Sequence, residues 1–258
     1  MLLHGVDFSG ADDGGGHKIR VVTRELPDPG TQRPAGTSPP ELRNQGRFDR
    51  RSLLRLIERS AEDGQRHLWR VDAPFGLPVE TLDAHGLAGW ADAVRWMSAA
   101  GSPRAWRGLM RDTSRREPRR HCDDAFRAPM APMNLRVFKQ TWTCMVELLE
   151  PLGRAGISIE PMAPRAGASV VICEGCPASA LAARALPVRG YKGAGDPPRA
   201  RREEILSALA RLGVRMPPPM RAEAAADQEG DLLDAIVLTT DPFQAVPPAD
   251  ALREAWIY

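Results

Sequence analysis

HGVDFSGADD, residues 4–13, places Asp7 in the middle of an apolar segment that has the pattern of a buried strand. A charge in such a strand is costly unless it has a partner. Ser9 and Gly10 follow directly, and a glycine there allows another part of the backbone to approach closely. We therefore interpret Asp7 as a functional residue on a central strand, with a turn-capping aspartate as the alternative.

The composition predicts one globular domain. The chain has 258 residues, of which 43% are hydrophobic, and we expect a single domain over residues 1–258. A net charge of +2 does not by itself indicate a nucleic-acid partner. The sequence has no secretory signal and no apolar run of about 18 residues. We therefore expect a cytoplasmic protein without a membrane partner.

The first third of the chain predicts a β-hairpin followed by a helix and a strand. Residues 1–8 and 17–26 have strand patterns and are joined by a glycine-rich turn. Residues 27–47 indicate a long loop around at most one weak strand. A helix is predicted over 49–63 with Asp49 as its N-cap, and a strand over 67–72.

The remainder alternates between helices and strands. Residues 80–150 form a helical and loop insertion, in which the polar stretch 113–134 is long enough to be a mobile or functional loop. Strands are expected at 156–162 and 168–174. The last helices are predicted at 177–186, 198–213 and 229–240. The order predicts a mixed α/β sheet flanked by helices, and it excludes a Rossmann fold because no GxGxxG follows the first strand.

Acidic residues recur at the ends of these predicted elements. Asp7, Asp72 and Glu174 lie at or near the ends of apolar strands, while Asp231 and Asp234 share one face of a helix. Carboxylates at the strand ends of a partly parallel sheet converge at one edge. Because converging carboxylates repel one another, we expect a hard divalent cation, Mg²⁺ or Mn²⁺, among them.

Each acidic residue also has a structural interpretation. Asp72 could cap the following turn, Glu174 could be a surface residue, and Asp231 could interact with a helix dipole. The CEGC segment at 173–176 lacks further zinc ligands nearby, so we interpret its cysteines as small buried thiols.

Basic residues are concentrated in two regions that could bind phosphates. Residues 95–140 contain 11 Arg or Lys against 4 Asp or Glu, and from this region we select Arg111, Arg115 and Arg116. The second region contributes Lys192 and Tyr191, whose ring could stack on a base. Solvated helix faces are the alternative explanation.

Six segments, in this order, resemble a family of predicted RNase H-like nucleases grouped as domain of unknown function 429: GVDFSGA (5–11), VDAPFGLP (71–78), APMNLRVFKQT (131–141), CEGCPASAL (173–181), YKG (191–193) and DLLDAIVL (231–238). The resemblance covers nearly the whole chain. It implies an RNase H-like fold in which Asp7, Asp72, Asp231 and Asp234 hold two metal ions, with Glu174 as a further ligand or base.

The function implied by this resemblance is metal-dependent hydrolysis of phosphodiester bonds in nucleic acid of unknown type. Two other classes stay open. A nucleotide-binding or phosphotransfer protein of the actin-like ATPase type has a related fold and a similar glycine-aspartate opening. A non-catalytic RNase H-like binding module would keep the fold without binding a metal.

Overall fold

The computed structural model describes residues 1–12, 16–27, 40–111, 117–240, 247–249 and 251–258. Within these ranges, one sheet contains six strands: β1 (Leu2–Asp7), β2 (Ile19–Glu25), β3 (Arg43–Phe48), β4 (His67–Asp72), β5 (Ser158–Ile159) and β6 (Val170–Gly175). Their order across the sheet is β3-β2-β1-β4-β6-β5. The predicted hairpin is confirmed, since β1 and β2 are antiparallel, whereas β4 runs parallel to both β1 and β6.

Helices cover both faces of this sheet. Those described are α1 (Arg50–Ser60), α2 (Val79–Ala84), α3 (Trp90–Ala99), α4 (Pro103–Arg111), α5 (His121–Ala125), α6 (Phe138–Thr143), α7 (Glu150–Arg154), α8 (Pro177–Ala182), α9 (Asp196–Arg211), α10 (Pro218–Ala226), α11 (Asp231–Val237) and α12 (Ala251–Glu254). A π-helical segment, Cys144–Leu149, joins α6 to α7. The predicted mixed α/β class is confirmed, and the architecture is consistent with an RNase H-like fold.

Two apolar cores lie on the two faces of the sheet. One contains Val6 and Leu148, and the other contains Val22, Leu206 and Leu233. Because helices cover both faces, β1 is buried along nearly its whole length and does not alternate between apolar and polar residues. Asp7, at its end, is the residue of this strand that is only partly buried.

The helix predicted after the third strand is confirmed as α1. Asp49 is its N-cap, and its side chain accepts a hydrogen bond of 2.6 Å from the Ser52 backbone N–H. Such a cap contributes about 1 kcal/mol to stability. Leu53 and Ile57, on one face of the helix, are buried against the sheet.

The helical stretch predicted from residue 80 onward is divided into α2, α3 and α4. Gly86 and Gly101 have φ values of 64° and 73°, which place them in the left-handed region and end a helix. Val94 and Met97 of α3 are buried, as their spacing predicted. No helix in the described ranges combines the length and apolar character that crossing a bilayer requires.

Helix α10 was not predicted from the sequence. Pro217–Pro219 resembles a turn in the sequence, but proline is well tolerated in the first turn of a helix, where its missing N–H has no intrahelical partner. Residues 28–39, most of the predicted long loop, lie outside the described residues; β3 is the strand that follows them.

Gly5 sets the distance between β1 and α11. A Cβ atom at this position would lie 2.1 Å from the backbone oxygen of Ala235. We expect Gly5→Ala to lower the free energy of unfolding by about 1–3 kcal/mol, because the helix has to move off the sheet.

A matched control for this substitution is Gly108→Ala. Gly108 lies in the exposed part of α4 with nothing within 4 Å of the added carbon, so the change should be neutral or stabilise by up to about 1 kcal/mol. Urea unfolding of both variants tests the contact, and equal effects would show that α11 does not depend on Gly5.

Candidate metal centre

Three carboxylates meet at one edge of the sheet. Asp7 ends β1, Asp72 ends β4, and Asp234 lies in α11 above them. One side-chain oxygen from each lies within 4.8 Å of the others. Asp7 and Asp72 are direct register partners on neighbouring parallel strands, which explains why their side chains are adjacent.

The position of Asp234 follows from the packing of α11 on β1. The close approach at Gly5 brings this helix onto the strand, and Asp234 is only 2% exposed as a result. The end of the helix is held by Arg70, which donates hydrogen bonds to the carbonyl oxygens of Leu238 (3.0 Å) and Thr240 (2.8 Å).

Gln140 in α6 also holds the backbone around the carboxylates. Its side-chain amide donates to the carbonyl oxygen of Phe8 at 2.8 Å and also to that of Asp72. The close approach predicted at Gly10 is made by the same helix, since a Cβ on Gly10 would lie 2.4 Å from the Gln140 backbone nitrogen. Gln140 therefore fixes the ends of both strands that carry the carboxylates.

The carboxylates disfavour one another's ionised forms. Burial raises the pKa of Asp72 to about 8, and the charge of Asp234 acts in the same direction. Burial also raises the pKa of Asp7 well above its ordinary value, with Asp234 as the next cause. The pKa of Asp234 is raised by burial against the opposing charge of Lys192. Such a site binds protons when no cation is present.

One cation of the protein faces the group. Lys192 Nζ lies 2.7 Å from Asp234 Oδ2, and the nearby carboxylates raise the pKa of Lys192 despite its partial burial. The Tyr191 hydroxyl donates a 2.8 Å hydrogen bond to Asp234 Oδ1. Tyr191 is only 5% exposed, so most of its ring is covered and its observed role is to orient Asp234.

Glu174 lies beside this group in a separate ion network. Arg120 donates to both of its oxygens at 2.6 Å, and the Phe75 backbone N–H donates to Oε2 at 2.7 Å. Arg120 also contacts Asp123, and both are almost fully buried. The register between β4 and β6 places Gly175, and not Glu174, next to Asp72. The carboxylate of Glu174 therefore points to Arg120 and is not within the group of three.

Asp231 and the cysteines complete the predicted set. Asp231 is the first residue of α11 and is not among the three that share one centre, but its charge contributes to the raised pKa of Asp7. Cys173 and Cys176 are buried free thiols, and burial raises the pKa of each to about 12. Their protonated state agrees with the interpretation as small core residues.

A cavity of about 710 Å³ opens beside the carboxylates. Its lining includes Asp72, Asp234 and Lys192, together with Arg127 and Arg136. Of the arginines selected from the sequence, Arg115 and Arg116 lie outside the described residues, and α4 ends at Arg111.

Sequence reasoning missed Gln140 and Arg120. Gln140 stands between Lys139 and Thr141, and the signal that could have marked it is its place in the segment APMNLRVFKQT (131–141) that resembles the family. Arg120 has no such signal, because it stands in a run of arginines and its neighbour Arg119 is much more exposed and pairs with exposed Asp124. Part of the stretch 113–134 is thus packed into the protein, because Arg120 and Asp123 of α5 belong to the buried ion network with Glu174.

The raised pKa of Asp72 predicts a pH-dependent stability. In the metal-free folded chain this carboxyl stays protonated to about pH 8, whereas in the unfolded chain it ionises near pH 4. The folded state therefore binds more protons between these values, and the free energy of unfolding should fall as the pH rises from about 4 to about 8. Asp72→Asn should make this slope shallower in urea unfolding with a chelator present. A slope identical to that of the wild type would contradict the assignment.

The contacts of Glu174 predict a structural effect for its substitution. Glu174→Gln leaves the buried Arg120 charge without its full partner and should cost about 3–5 kcal/mol of stability. Glu150→Gln removes an ion pair with Arg154, whose side chain is 73% exposed, and should cost less than about 1 kcal/mol. If Glu174→Gln instead abolished Mn²⁺ binding to a folded protein, Glu174 would be a ligand.

Comparison with known proteins places the chain in a family. No curated protein and no solved structure gave a significant match. A family model described as "Protein of unknown function (DUF429)" matches residues 43–240, which are 198 of the 258 residues. The matched segment contains Asp72 and Asp234 and begins after Asp7. The chain therefore belongs to the DUF429 family.

Proposed function

We propose that this protein is a divalent-metal-dependent hydrolase that cleaves phosphodiester bonds in nucleic acid. The observation that supports this most strongly is the group formed by Asp7, Asp72 and Asp234, whose oxygens lie within 4.8 Å of one another at the edge of the sheet. Carboxylate oxygens are the ligands that Mg²⁺ and Mn²⁺ prefer in proteins.

Charge balance at the site supports a cation. Three carboxylates face one another, and Lys192 contacts one of them, Asp234. Protonation of the acids, which their raised pKa values reflect, is one way to relieve the repulsion. Binding of a divalent cation is the other, and it leaves all three oxygens ionised. The residues therefore fit a metal, with Asp231 as an outer contributor to a two-ion site.

When bound, such ions lower the pKa of a water molecule and stabilise the oxygen that leaves phosphorus. The protein's own residues supply the positioning. Gln140 holds the ends of β1 and β4, so that Asp7 and Asp72 keep their separation. Tyr191 and Lys192 orient Asp234 through its two oxygens. Lys192 is about half exposed and is also placed to neutralise a substrate phosphate at the cavity.

Arginines around the cavity support an anionic substrate. Arg127, Arg136 and Arg189 line it and are exposed, and none has an ion pair or side-chain hydrogen bond to another residue of the described ranges. Arginine binds phosphate through paired N–H groups. Arg111, Arg115 and Arg116 remain predicted to bind nucleic acid.

Metal binding tests this proposal before any substrate is known. We expect Mn²⁺ to bind the wild type, and Asp7→Asn and Asp234→Asn each to weaken binding by at least about tenfold, since even residues that only support a ligand contribute that much. In the absence of metal both variants should be as stable as the wild type or more so, because like-charge repulsion is relieved. Calorimetric titration with Mn²⁺ measures the first effect and urea unfolding the second.

Glu62→Gln provides the matched control. Glu62 is an exposed carboxylate in the turn before β4, at the strand end opposite Asp72, and its removal should leave Mn²⁺ affinity unchanged. Mn²⁺-dependent cleavage of single-stranded, hybrid and branched nucleic acids should be lost in the two aspartate variants and kept in Glu62→Gln. A wild type that binds no Mn²⁺, with or without nucleic acid, would favour a non-catalytic module, and metal-dependent ATP binding without cleavage would favour the nucleotide-binding alternative.

A further inference from the structure

The cavity beside the carboxylates has the size of a small-ligand site. Its volume is about 710 Å³, within the range of about 300–1,000 Å³ that holds drug-sized molecules. A cavity of this size has room for a single nucleotide unit.

The lining of the cavity combines different kinds of side chain. It includes Asp72 and Asp234, which belong to the candidate metal centre. It also includes the apolar side chains of Met130, Val137 and Val188, the last of which is 38% exposed. An apolar wall of this kind can cover the face of a base or a sugar, although no aromatic ring other than the buried Tyr191 lines the cavity among the described residues.

The lining also contains positively charged side chains. Arg127 and Arg136 come from the segment after α5, and Arg189 comes from the segment after α8. These segments are far apart in the sequence, so the three exposed guanidinium groups converge only in the folded chain. Arg120 also lines the cavity, but its guanidinium is occupied by Glu174 and Asp123. Arg127, Arg136 and Arg189, which have no ion pair with another residue of the described ranges, are thus the groups available to a phosphate.

From these observations we infer that the cavity holds one nucleotide unit at the end of a single strand, with its phosphate held by Arg127, Arg136 and Arg189. This inference rests on the proposed function and specifies its substrate. Hydrolysis there would form a bond from a water oxygen to phosphorus, break the P–O bond to the rest of the strand, and transfer a water proton to the leaving oxygen. A nucleotide would be released from the end.

Linear and circular strands distinguish this inference from internal cleavage. End-labelled linear single-stranded DNA and RNA should be shortened to mononucleotides with Mn²⁺, while circles of the same sequence should be cut at least about a hundredfold more slowly. Circles cut as fast as linear strands would overturn the inference, and the proposed function would stand as long as Mn²⁺ binding depends on Asp7.

Binding of adenosine monophosphate tests whether the cavity holds a nucleotide, and this test does not depend on cleavage. Arg136→Gln combined with Arg189→Gln should weaken its binding at least about tenfold and reduce the salt dependence of oligonucleotide binding, because phosphate contacts are lost. The control pair, Arg199→Gln with Arg211→Gln, changes exposed arginines of α9 that do not line the cavity, and should have little effect. Mn²⁺ affinity should be similar in both pairs.

The remaining outcomes are also decisive. Equal loss of binding in the two pairs would overturn the assignment of the phosphate to the cavity. Arginine-dependent binding of the mononucleotide without shortening of linear strands would overturn the assignment to a strand end, and would identify a free nucleotide as the ligand. If the wild type bound no Mn²⁺, the proposed function itself would be refuted. The titration with adenosine monophosphate would still show whether the cavity binds a nucleotide.

Discussion

Repulsion among three carboxylates at the edge of the sheet is the constraint on which the site depends. Asp7 and Asp72 end adjacent parallel strands in direct register, and Asp234 is pressed toward them by the packing of α11 on β1. Without other contacts to hold them, three such carboxylates would move apart or bind protons. The fold prevents separation, so the repulsion is relieved by bound protons and by Lys192, and the three oxygens form a group that could hold a metal ion.

Several contacts that are not acidic maintain this arrangement. Gly5 permits the approach of the helix, Arg70 holds the carbonyl groups at its end, and Gln140 bonds to the backbone after both strands. Beside them, the fully buried pair of Arg120 and Glu174 connects the segment after α4 with the end of β6. Both residues of this pair line the cavity, and neither belongs to the group of three.

Local patterns in the sequence predicted the central part of the fold. The hairpin, β4, β6 and the capped helix α1 each have a clear pattern of apolar residues and turn or cap residues, and the carboxylates at their ends were identifiable for that reason. The register that pairs Asp7 with Asp72 was not predictable, because it depends on long-range strand pairing. The same holds for Arg120, whose burial results from tertiary contacts with Glu174, and for α10, whose prolines are compatible with either a turn or a helix start.

The location of a bound ion tests the central claim most directly. Crystals of the wild type grown or soaked with Mn²⁺ can be measured for anomalous scattering, which identifies the ion by its position and element. The account predicts a peak among the carboxylate oxygens of Asp7, Asp72 and Asp234, with Lys192 displaced from Asp234. A site that stays empty at saturating Mn²⁺, or a peak elsewhere on the molecule, would contradict it.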